Sequence, residues 1–313
     1  MSTSNLQSRR IDVEDSFDAI QDYYDEQGWT DGLPVVPATE ELVCRMLAGS
    51  TGAPNDSLGI IQPRNARVTL EKIAINAVMA GCRPEYFPVV VAAVKAMLQD
   101  EFNVAGVSST TGGATPAVIV NGPIARRLGI NGDAGCFGPG YRANSSIGRA
   151  LRLMIRNVGG LIPGEMDKAT LSTPARFSFC FSENEERSPW EPRHLELGYS
   201  PSDSIVTVAG IRGIYVVMET TVPTGFEVLQ TLVGTMTGSG VSNYYQIGTG
   251  AQIVLVLCPE HAADIAASGL SKADVREYVY QNARMPLRQL IGVAHYGNRN
   301  WPSWVDEANP DTM

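Results

Sequence analysis

Thr110-Thr-Gly-Gly-Ala-Thr-Pro116 opens the stretch that decides the fold of this chain. The apolar run Ala117-Val-Ile-Val120 follows it and predicts a buried strand, which ends at Asn121-Gly-Pro123. A short helical segment, a loop with five glycines between positions 129 and 140, and a second helix from about Asn144 come next. In an open α/β sheet, ligands bind beyond the carboxyl ends of the strands. The stretch therefore predicts a ligand site.

Several polar residues of this stretch are candidate ligand-binding residues. Thr110 and Thr111 precede the strand and Asn121 ends it, whereas Asn144 and Arg149 lie in the first turns of the second helix. Free amides at a helix start, together with a guanidinium group, bind carboxylates and phosphates. We therefore expect an anionic ligand near Asn144 and Arg149, with a purely structural helix cap as the alternative.

The composition argues against several classes of protein. The chain has 313 residues, 44% of them hydrophobic and 18% charged, enough for one large core or two smaller ones. A net charge of −9 without a Lys/Arg block is not typical of a nucleic-acid-binding protein. No apolar run is long enough to predict a membrane span, and the start of the chain has no apolar signal core. We therefore expect a cytoplasmic protein.

The cysteines, histidines and glycines match no cofactor motif. Five widely spaced cysteines predict neither a disulfide framework nor a zinc site, and three histidines without a His-x-x-x-His pair argue against a transition-metal site. The glycine runs contain neither a Gly-Lys-Ser/Thr phosphate loop nor Gly-x-Gly-x-x-Gly opening a helix. The sequence also lacks the Gly-x-Ser-x-Gly and Cys-x-x-Cys motifs. We predict no nucleotide cofactor and no metal, and other cofactors stay open.

A second candidate site follows the alternating run Arg176-Phe-Ser-Phe-Cys-Phe-Ser182, which predicts a strand with three phenylalanines on one face. An acidic run begins directly after it. Glu183 or Glu186 could transfer a proton as a general base or bind a cation. Trp190, which has a proline on its N-terminal side and another two residues later, could contact a ligand from a rigid loop that ends at His194. A loop that is merely solvated is the alternative.

Two further side chains are candidates for catalysis. Cys82 lies just before Pro84, which starts a predicted helix, so the helix dipole and Arg83 should lower its pKa and make the thiol reactive. The alternative for Cys82 is a small buried cysteine. His261 lies at the start of a predicted helix and is a candidate general base, with a structural histidine as the alternative.

The chain also contains a possible internal repeat. Ala117–Val120 is followed by a helix that begins with proline and ends at Gly129, and then by a longer helix. The apolar run Gln252–Leu257 is followed by the same order of helices, the first ending at Gly269. Further strands are predicted at 204–209 and 213–220.

These patterns predict an α/β fold, with a mixed sheet, flanking helices, and a possible duplicated β-α-α module that forms a central cleft. Residues 1–50 are predicted to be an N-terminal helical arm with a proline-rich strip, and 51–313 the α/β core. The two related modules would be 58–160 and 205–290.

Four segments together resemble a family of largely uncharacterised bacterial proteins. They are Trp29-Thr-Asp-Gly-Leu-Pro-Val-Val-Pro-Ala-Thr-Glu-Glu41, Asn76-Ala-Val-Met-Ala-Gly-Cys-Arg-Pro-Glu-Tyr86, Asn121-Gly-Pro-Ile-Ala125 and Glu183-Asn-Glu-Glu186. Members of that family are found beside, or fused to, small selenoproteins or cysteine homologues named for a Sec-Gly-Ser-Cys motif. This chain has no Cys-Gly-Ser-Cys. The resemblance, which runs from about Ile20 to about Pro286, therefore implies a two-component system in which this chain is the substrate-binding or catalytic partner.

Two functions follow as hypotheses. The first is an enzyme that acts on a small polar or carboxylated metabolite by lyase or thiol-linked oxidoreductase chemistry, without a nucleotide cofactor. The alternative is a non-catalytic scaffold that binds a Cys/Sec redox protein through the strip Trp29–Thr39. On general grounds we expect a homo-oligomer, and neither nucleic acid nor a membrane as partner.

Overall fold

The structure, a computed structural model, describes residues 6–221, 224–238 and 253–284. In these residues the chain forms helices and two small β-sheets, one of them mixed, so the predicted α/β class is confirmed. The chain divides into two compact units. The first comprises Met1–Asn184 and Pro192–Ile214, and the second Glu185–Glu191 and Tyr215–Met313.

The first unit contains most of the regular structure. Its helices are α1 (Phe17–Glu26), α2 (Glu40–Leu47), α3 (Leu70–Met79), α4 (Phe87–Met97), α5 (Val104–Ser108), α6 (Pro123–Leu128), α7 (Arg142–Asn157) and α8 (Arg193–Glu196), with 3₁₀ turns at Pro84–Tyr86, Asp100–Phe102 and Pro174–Arg176. Its strands are β1 (Ser57–Ile61), β2 (Ala66–Thr69), β3 (Thr115–Asn121), β4 (Cys180–Ser182) and β5 (Ile205–Ile211).

No helix in the described part of the chain is long and apolar enough to cross a membrane.

Local sequence chemistry sets several helix boundaries. Thr39 and Thr69 cap α2 and α3, because their hydroxyls accept hydrogen bonds from the backbone N–H groups of Leu42 and Lys72. Gly129 ends α6 in the left-handed conformation, which glycine adopts without steric cost. These are boundaries that the sequence predicts.

A three-stranded sheet forms the centre of the first unit. β3 lies in the middle, parallel to β4 and antiparallel to β5. Val118, Val120 and Cys180 belong to the main hydrophobic core, together with buried side chains of α3, α4 and α7. Phe179 and Phe181 belong to a smaller cluster on the other face of the sheet. The sheet thus places the ends of β3 and β4 next to each other.

The predicted strand 176–182 is shorter than expected. Only Cys180–Ser182 pairs with β3, and Pro174–Arg176 is a 3₁₀ turn. The side chain of Phe177 is half exposed, whereas Phe179 and Phe181 pack in edge contacts with Phe137. The alternating pattern correctly places Phe179 and Phe181 on one face, but it does not limit the length of the strand.

The second unit has a small core of its own. It contains the helices α9 (Gly225–Gly238), α10 (Pro259–Ala267) and α11 (Lys272–Asn282). The core consists of the buried side chains of Val228, Leu229, Leu232, Ile265 and Val275. As in the first unit, proline begins α10 and a positive-φ Gly269 follows it.

The strands predicted at 213–220 and 252–257 are not formed. Residues 213–220 and 253–257 have no regular structure, and Gln252 lies outside the described residues. Val217, Leu255 and Leu257 pack on the core of the second unit, while Val216 and Val256 are exposed. Of the proposed repeat, the order of helices is therefore present in both halves, whereas among the residues that the structure describes the strand is present only in the first half.

Candidate functional site at the ends of two parallel strands

The structure brings together two of the predicted site residues, Asn121 and Glu183. Asn121 is the last residue of β3, and Glu183 follows the last residue of the parallel strand β4. The Asn121 side chain is buried, and its Nδ2 donates to Glu183 Oε2 at 2.5 Å. The backbone N–H of Arg193, at the start of α8, donates to the same oxygen at 2.9 Å. The Glu183 carboxylate is therefore held in a defined orientation at the carboxyl edge of a parallel strand pair.

The segment that leads into β5 approaches the end of β3 closely. Gly122 has φ 88° and ψ −175°, a conformation that is essentially restricted to glycine. A Cβ on Gly122 would lie 2.2 Å from the carbonyl oxygen of Asp203. Ser204 Oγ accepts from the backbone N–H of Ile124. The turn after β3 is thus fixed against residues 203 and 204.

Two titratable residues that were not predicted as site residues lie in the same part of the first unit. His194, next to Arg193, is buried. The pKa of Asp203 is lowered, first by the backbone N–H of Ser200, then by the hydroxyl of the same residue, and to a smaller extent by His194. His194 stands at the end of the acidic run, so the sequence offered a signal for it. Asp203 follows a turn of serines and carried no such signal.

The glycine-rich loop between α6 and α7 runs past the end of β4. A Cβ on Gly132 would lie 2.3 Å from the carbonyl oxygen of Ser182, so a side chain at this position would collide with the strand. Ser182 Oγ donates to the carbonyl oxygen of Ile130 at 2.7 Å. The loop therefore forms one wall of the region next to Glu183.

Asn144 holds this loop in place. Its Oδ1 accepts from the backbone N–H of Asn131 at 2.8 Å, and its Nδ2 donates to the carbonyl oxygens of Asn131 and Cys136. The buried amide of Asn144 thus holds the loop. It is not the helix cap that the sequence left open as the alternative, because the N-cap of α7 is Tyr141. A role in binding an anion would require these bonds to break.

Arg149 is engaged by the N-terminal strip. Its Nε and Nη2 donate to the two carboxylate oxygens of Asp31 at 2.8 and 2.7 Å, and Nη2 also donates to the carbonyl oxygens of Leu33 and Pro34. The carboxylate expected beside Arg149 is therefore a side chain of the same chain. The strip is fixed to α7 by this contact.

Thr110 and Thr111 lie at the other end of β3. Thr110 Oγ1 accepts from the backbone N–H of Gly112, and the carbonyl oxygen of Thr111 accepts from the backbone N–H of Thr170. β3 has seven residues, so its two ends are about 20 Å apart. The structure thus separates these threonines from Asn121.

Cys82 matches the alternative that the sequence left open, a small buried cysteine. Its thiol is buried and donates to the carbonyl oxygen of Ser146 at 3.3 Å. Burial raises its pKa from the ordinary value of 9.0 to about 12, which outweighs the lowering by Ser146 and Arg142. The prediction of an activated thiol is therefore wrong for this conformation, because desolvation of the thiolate exceeds the effect of the nearby charge.

Cys82 also lines a small cavity of about 110 Å³. Arg142 lies at this cavity and donates from Nε and Nη2 to the carbonyl oxygen of Gly81 at 3.1 and 3.0 Å. Most of the remaining wall is aliphatic, with Val36, Leu42, Met46, Val78 and Pro84, and Arg45 completes it.

The other predicted site residues, Glu186, Trp190 and His261, belong to the second unit. Glu186 is exposed. Trp190 Nε1 donates to the carbonyl oxygen of Leu270 at 3.0 Å, and His261 Nε2 lies 3.1 Å from the carbonyl oxygen of Glu219. Trp190 and His261 therefore both have structural partners within that unit.

In the described residues, no group of three or more His, Cys, Asp or Glu side chains is placed to hold a metal ion. Comparison of the chain with protein-family models, with curated proteins and with solved structures finds no match.

Proposed function

We propose that this chain is an enzyme that acts on a small polar or carboxylated metabolite, with Glu183 as the residue that moves a proton. The observation that supports this proposal is the hydrogen bond from Asn121 to Glu183 at the carboxyl ends of β3 and β4. This edge is where α/β sheets bind their ligands, and a carboxylate held there by two hydrogen bonds has the fixed geometry that proton transfer needs.

The geometry favours lyase chemistry over thiol-linked chemistry for this chain. A carboxylate that two hydrogen bonds hold in one orientation can be aimed at a proton on a carbon next to a substrate carboxyl group. Cys82, in contrast, is buried as a neutral thiol. We further propose that the chain belongs to the family associated with Sec-Gly-Ser-Cys proteins, so that thiol or selenol chemistry comes from a separate subunit.

A turnover screen with matched variants tests this function. Purified protein is incubated with a defined mixture of small carboxylated metabolites, and the mixture is followed by mass spectrometry. The Glu183→Gln variant should lose at least about 100-fold in rate, because general acid–base groups contribute about 10²–10⁴-fold. Glu186→Gln, which changes an exposed glutamate of the same acidic run, should turn over substrate like the unmodified protein. Equal activity of the two variants would refute the role of Glu183.

A scaffold that binds a Cys/Sec redox protein is the second candidate function. The observation in its favour is that the strip Trp29–Thr39 exposes apolar side chains and is held to α7 by hydrogen bonds. Leu33 and Val36 expose their side chains, while Arg149 fixes the backbone around them. A surface that is ordered before binding loses little entropy when a partner docks.

Mutation of the strip separates the two functions. Leu33→Asp should abolish the binding of a purified protein with a Cys-Gly-Ser-Cys motif, measured by calorimetry. Ile60→Asp places the same charge at another exposed apolar position and should leave the binding unchanged. If Leu33→Asp binds the partner as well as the unmodified chain does, the strip is not the docking surface.

A further inference from the structure

Two arginines of the first unit, Arg152 and Arg176, lie in a largely buried cluster with the carboxylate of Asp167, which is ion-paired with Arg176. Arg176 Nη1 donates to Asp167 Oδ2, and the side chains of Arg176 and Asp167 are only 9% and 7% exposed. Arg176 Nε donates to the carbonyl oxygen of Ala114, and Arg152 Nε donates to the carbonyl oxygen of Arg176. Arg152 thus contacts the backbone of residue 176, and the charge of the Arg176 guanidinium group acts on Arg152.

Each of these guanidinium groups has a buried nitrogen without a partner in the described part of the chain. The two nitrogens are Arg152 Nη1 and Arg176 Nη2. Thr115, which follows Ala114, has a buried hydroxyl that also makes no hydrogen bond with the described residues. A buried donor without an acceptor costs about 1–3 kcal/mol, and more if it is charged. Thr115 begins β3, Arg176 contacts Ala114, and Arg152 contacts Arg176, so these unpartnered donors belong to one cluster at the start of β3.

The charges of this cluster do not balance. Two carboxylates, Asp167 and Asp31, act on the charge of Arg152, and Asp31 is paired with Arg149. Asp167 is therefore left to compensate both Arg152 and Arg176. Burial and then the charge of Arg176 lower the pKa of Arg152 to about 10, which leaves the Arg152 guanidinium group charged at neutral pH. One positive charge in this largely buried cluster lacks a counter-ion, which is costly for the folded state.

We propose that Arg152 and Arg176 bind one oxyanion, a phosphate or carboxylate group, at the start of β3. Guanidinium groups match the planar, two-point geometry of such oxyanions, whereas a spherical halide cannot use it. An oxyanion would accept hydrogen bonds from both unpartnered nitrogens and supply the missing charge. The site lies about 20 Å from Asn121, at the opposite end of β3, and is independent of the function proposed for Glu183.

The Gly-rich segment 110–114 covers this site. Its Ala114 carbonyl oxygen contacts Arg176, and a Cβ on Gly113 would lie 2.8 Å from Ser172 Cα. Both nitrogens are enclosed by protein in the described structure, so part of the surrounding chain has to move to admit an anion. Segment 110–114, which contacts Arg176 through Ala114, is the part that the proposal assigns to this movement. Small side chains and two consecutive glycines make such a movement inexpensive. The Thr110–Pro116 motif thus acquires a role as the cover of an anion site.

Calorimetric titration with sodium phosphate, sodium acetate and sodium chloride tests the proposal, with each salt added to the full-length protein in a buffer free of oxyanions. Phosphate or acetate should bind at least about tenfold more tightly than chloride, and the better of the two identifies the source of the oxyanion. Arg152→Gln should weaken the binding at least about tenfold, because a charge-assisted hydrogen bond is lost. The control Arg45→Gln removes the same charge from an exposed side chain without a partner among the described residues, and should bind like the unmodified protein.

The proposal is wrong if neither oxyanion binds, if chloride binds equally well, or if Arg152→Gln binds as tightly as Arg45→Gln.

Hydrogen–deuterium exchange of the unmodified protein provides a second test that does not depend on the folding of any variant. Saturating phosphate or acetate should slow exchange in the peptide 108–116, because the anion holds the cover closed. Unchanged exchange in this peptide would also overturn the proposal.

Discussion

Arg149 and Asp31 are 118 residues apart in the sequence, yet they form a two-point ion pair that fixes the N-terminal strip to α7. Their side chains are only 15% and 14% exposed. The sequence predicts an external anion beside Arg149, and the structure places an internal one there. The pair explains how a segment rich in glycine and proline, without regular structure, keeps one conformation on the surface of the first unit.

Replacement of Arg149 by methionine should destabilise the first unit by about 3 kcal/mol, because it leaves Asp31 as a mostly buried charge without its partner. The measurement is the urea midpoint of unfolding. Glu40→Gln is the matched control, since it breaks the exposed pair of Arg10 and Glu40, and its effect should be about 0.5 kcal/mol or less. Equal shifts for the two variants would show that the strip contributes no more than a surface ion pair.

Comparison of Gly122 with Gly129 measures how closely residue 203 approaches the end of β3. Both have positive φ, but a Cβ would collide with Asp203 only at Gly122, and would meet nothing within 4 Å at Gly129. Gly129→Ala should cost about 1 kcal/mol from the left-handed backbone alone. Gly122→Ala should cost at least about 2 kcal/mol more, because the chain must move apart at the site. Thermal unfolding of the two variants measures their losses of stability. Similar losses for both variants would contradict the close approach of Asp203 to Gly122.

The thiol of Cys82 should resist alkylation in the folded protein. With a pKa of about 12, about one Cys82 side chain in ten thousand is a thiolate at pH 8. Iodoacetamide should therefore modify the exposed Cys258 long before Cys82, and peptide mass spectrometry measures the two rates in one sample. Comparable rates would mean that Cys82 is accessible and activated after all.

The same thiol makes the stability depend on alkaline pH. The unfolded chain loses the Cys82 proton near pH 9.0, whereas the folded chain keeps it to about pH 12. The contribution of the buried neutral thiol is therefore complete below pH 9 and is lost as the pH rises toward 12. Cys82→Ala should give a flatter dependence of unfolding free energy on pH between 9 and 11. An unchanged slope would contradict the raised pKa.

Sequence patterns predict the features that depend on near neighbours. Helix boundaries depend on contacts within one helical turn, so residues close in the sequence are enough to predict them. Examples are the caps at Thr39 and Thr69, the proline that begins α6 and the glycine that ends it. The strand β3 is also predicted, because an apolar run between a glycine-rich segment and Asn-Gly-Pro has few other interpretations.

Features that depend on distant partners were not predictable in the same way. Residues 213–220 have a strand-like composition, but a strand needs a neighbour, and the sequence does not say whether one is available. The strand-end rule selected Asn121 and Glu183 as candidates, and the structure places these two side chains in contact. It could not show that Asn144 would be used by its own loop, or that burial would dominate the pKa of Cys82.

Proton exchange catalysed by the protein tests the central claim most directly, because it detects proton transfer even without net reaction. The protein is incubated in D₂O with a panel of small carboxylates, and loss of the C–H signal next to the carboxyl group is followed by proton NMR. We expect exchange for at least one carboxylate with the unmodified protein and with Glu186→Gln, and none above background with Glu183→Gln. Exchange that persists in Glu183→Gln, or that is absent for all compounds with the unmodified protein, would contradict the role assigned to Glu183.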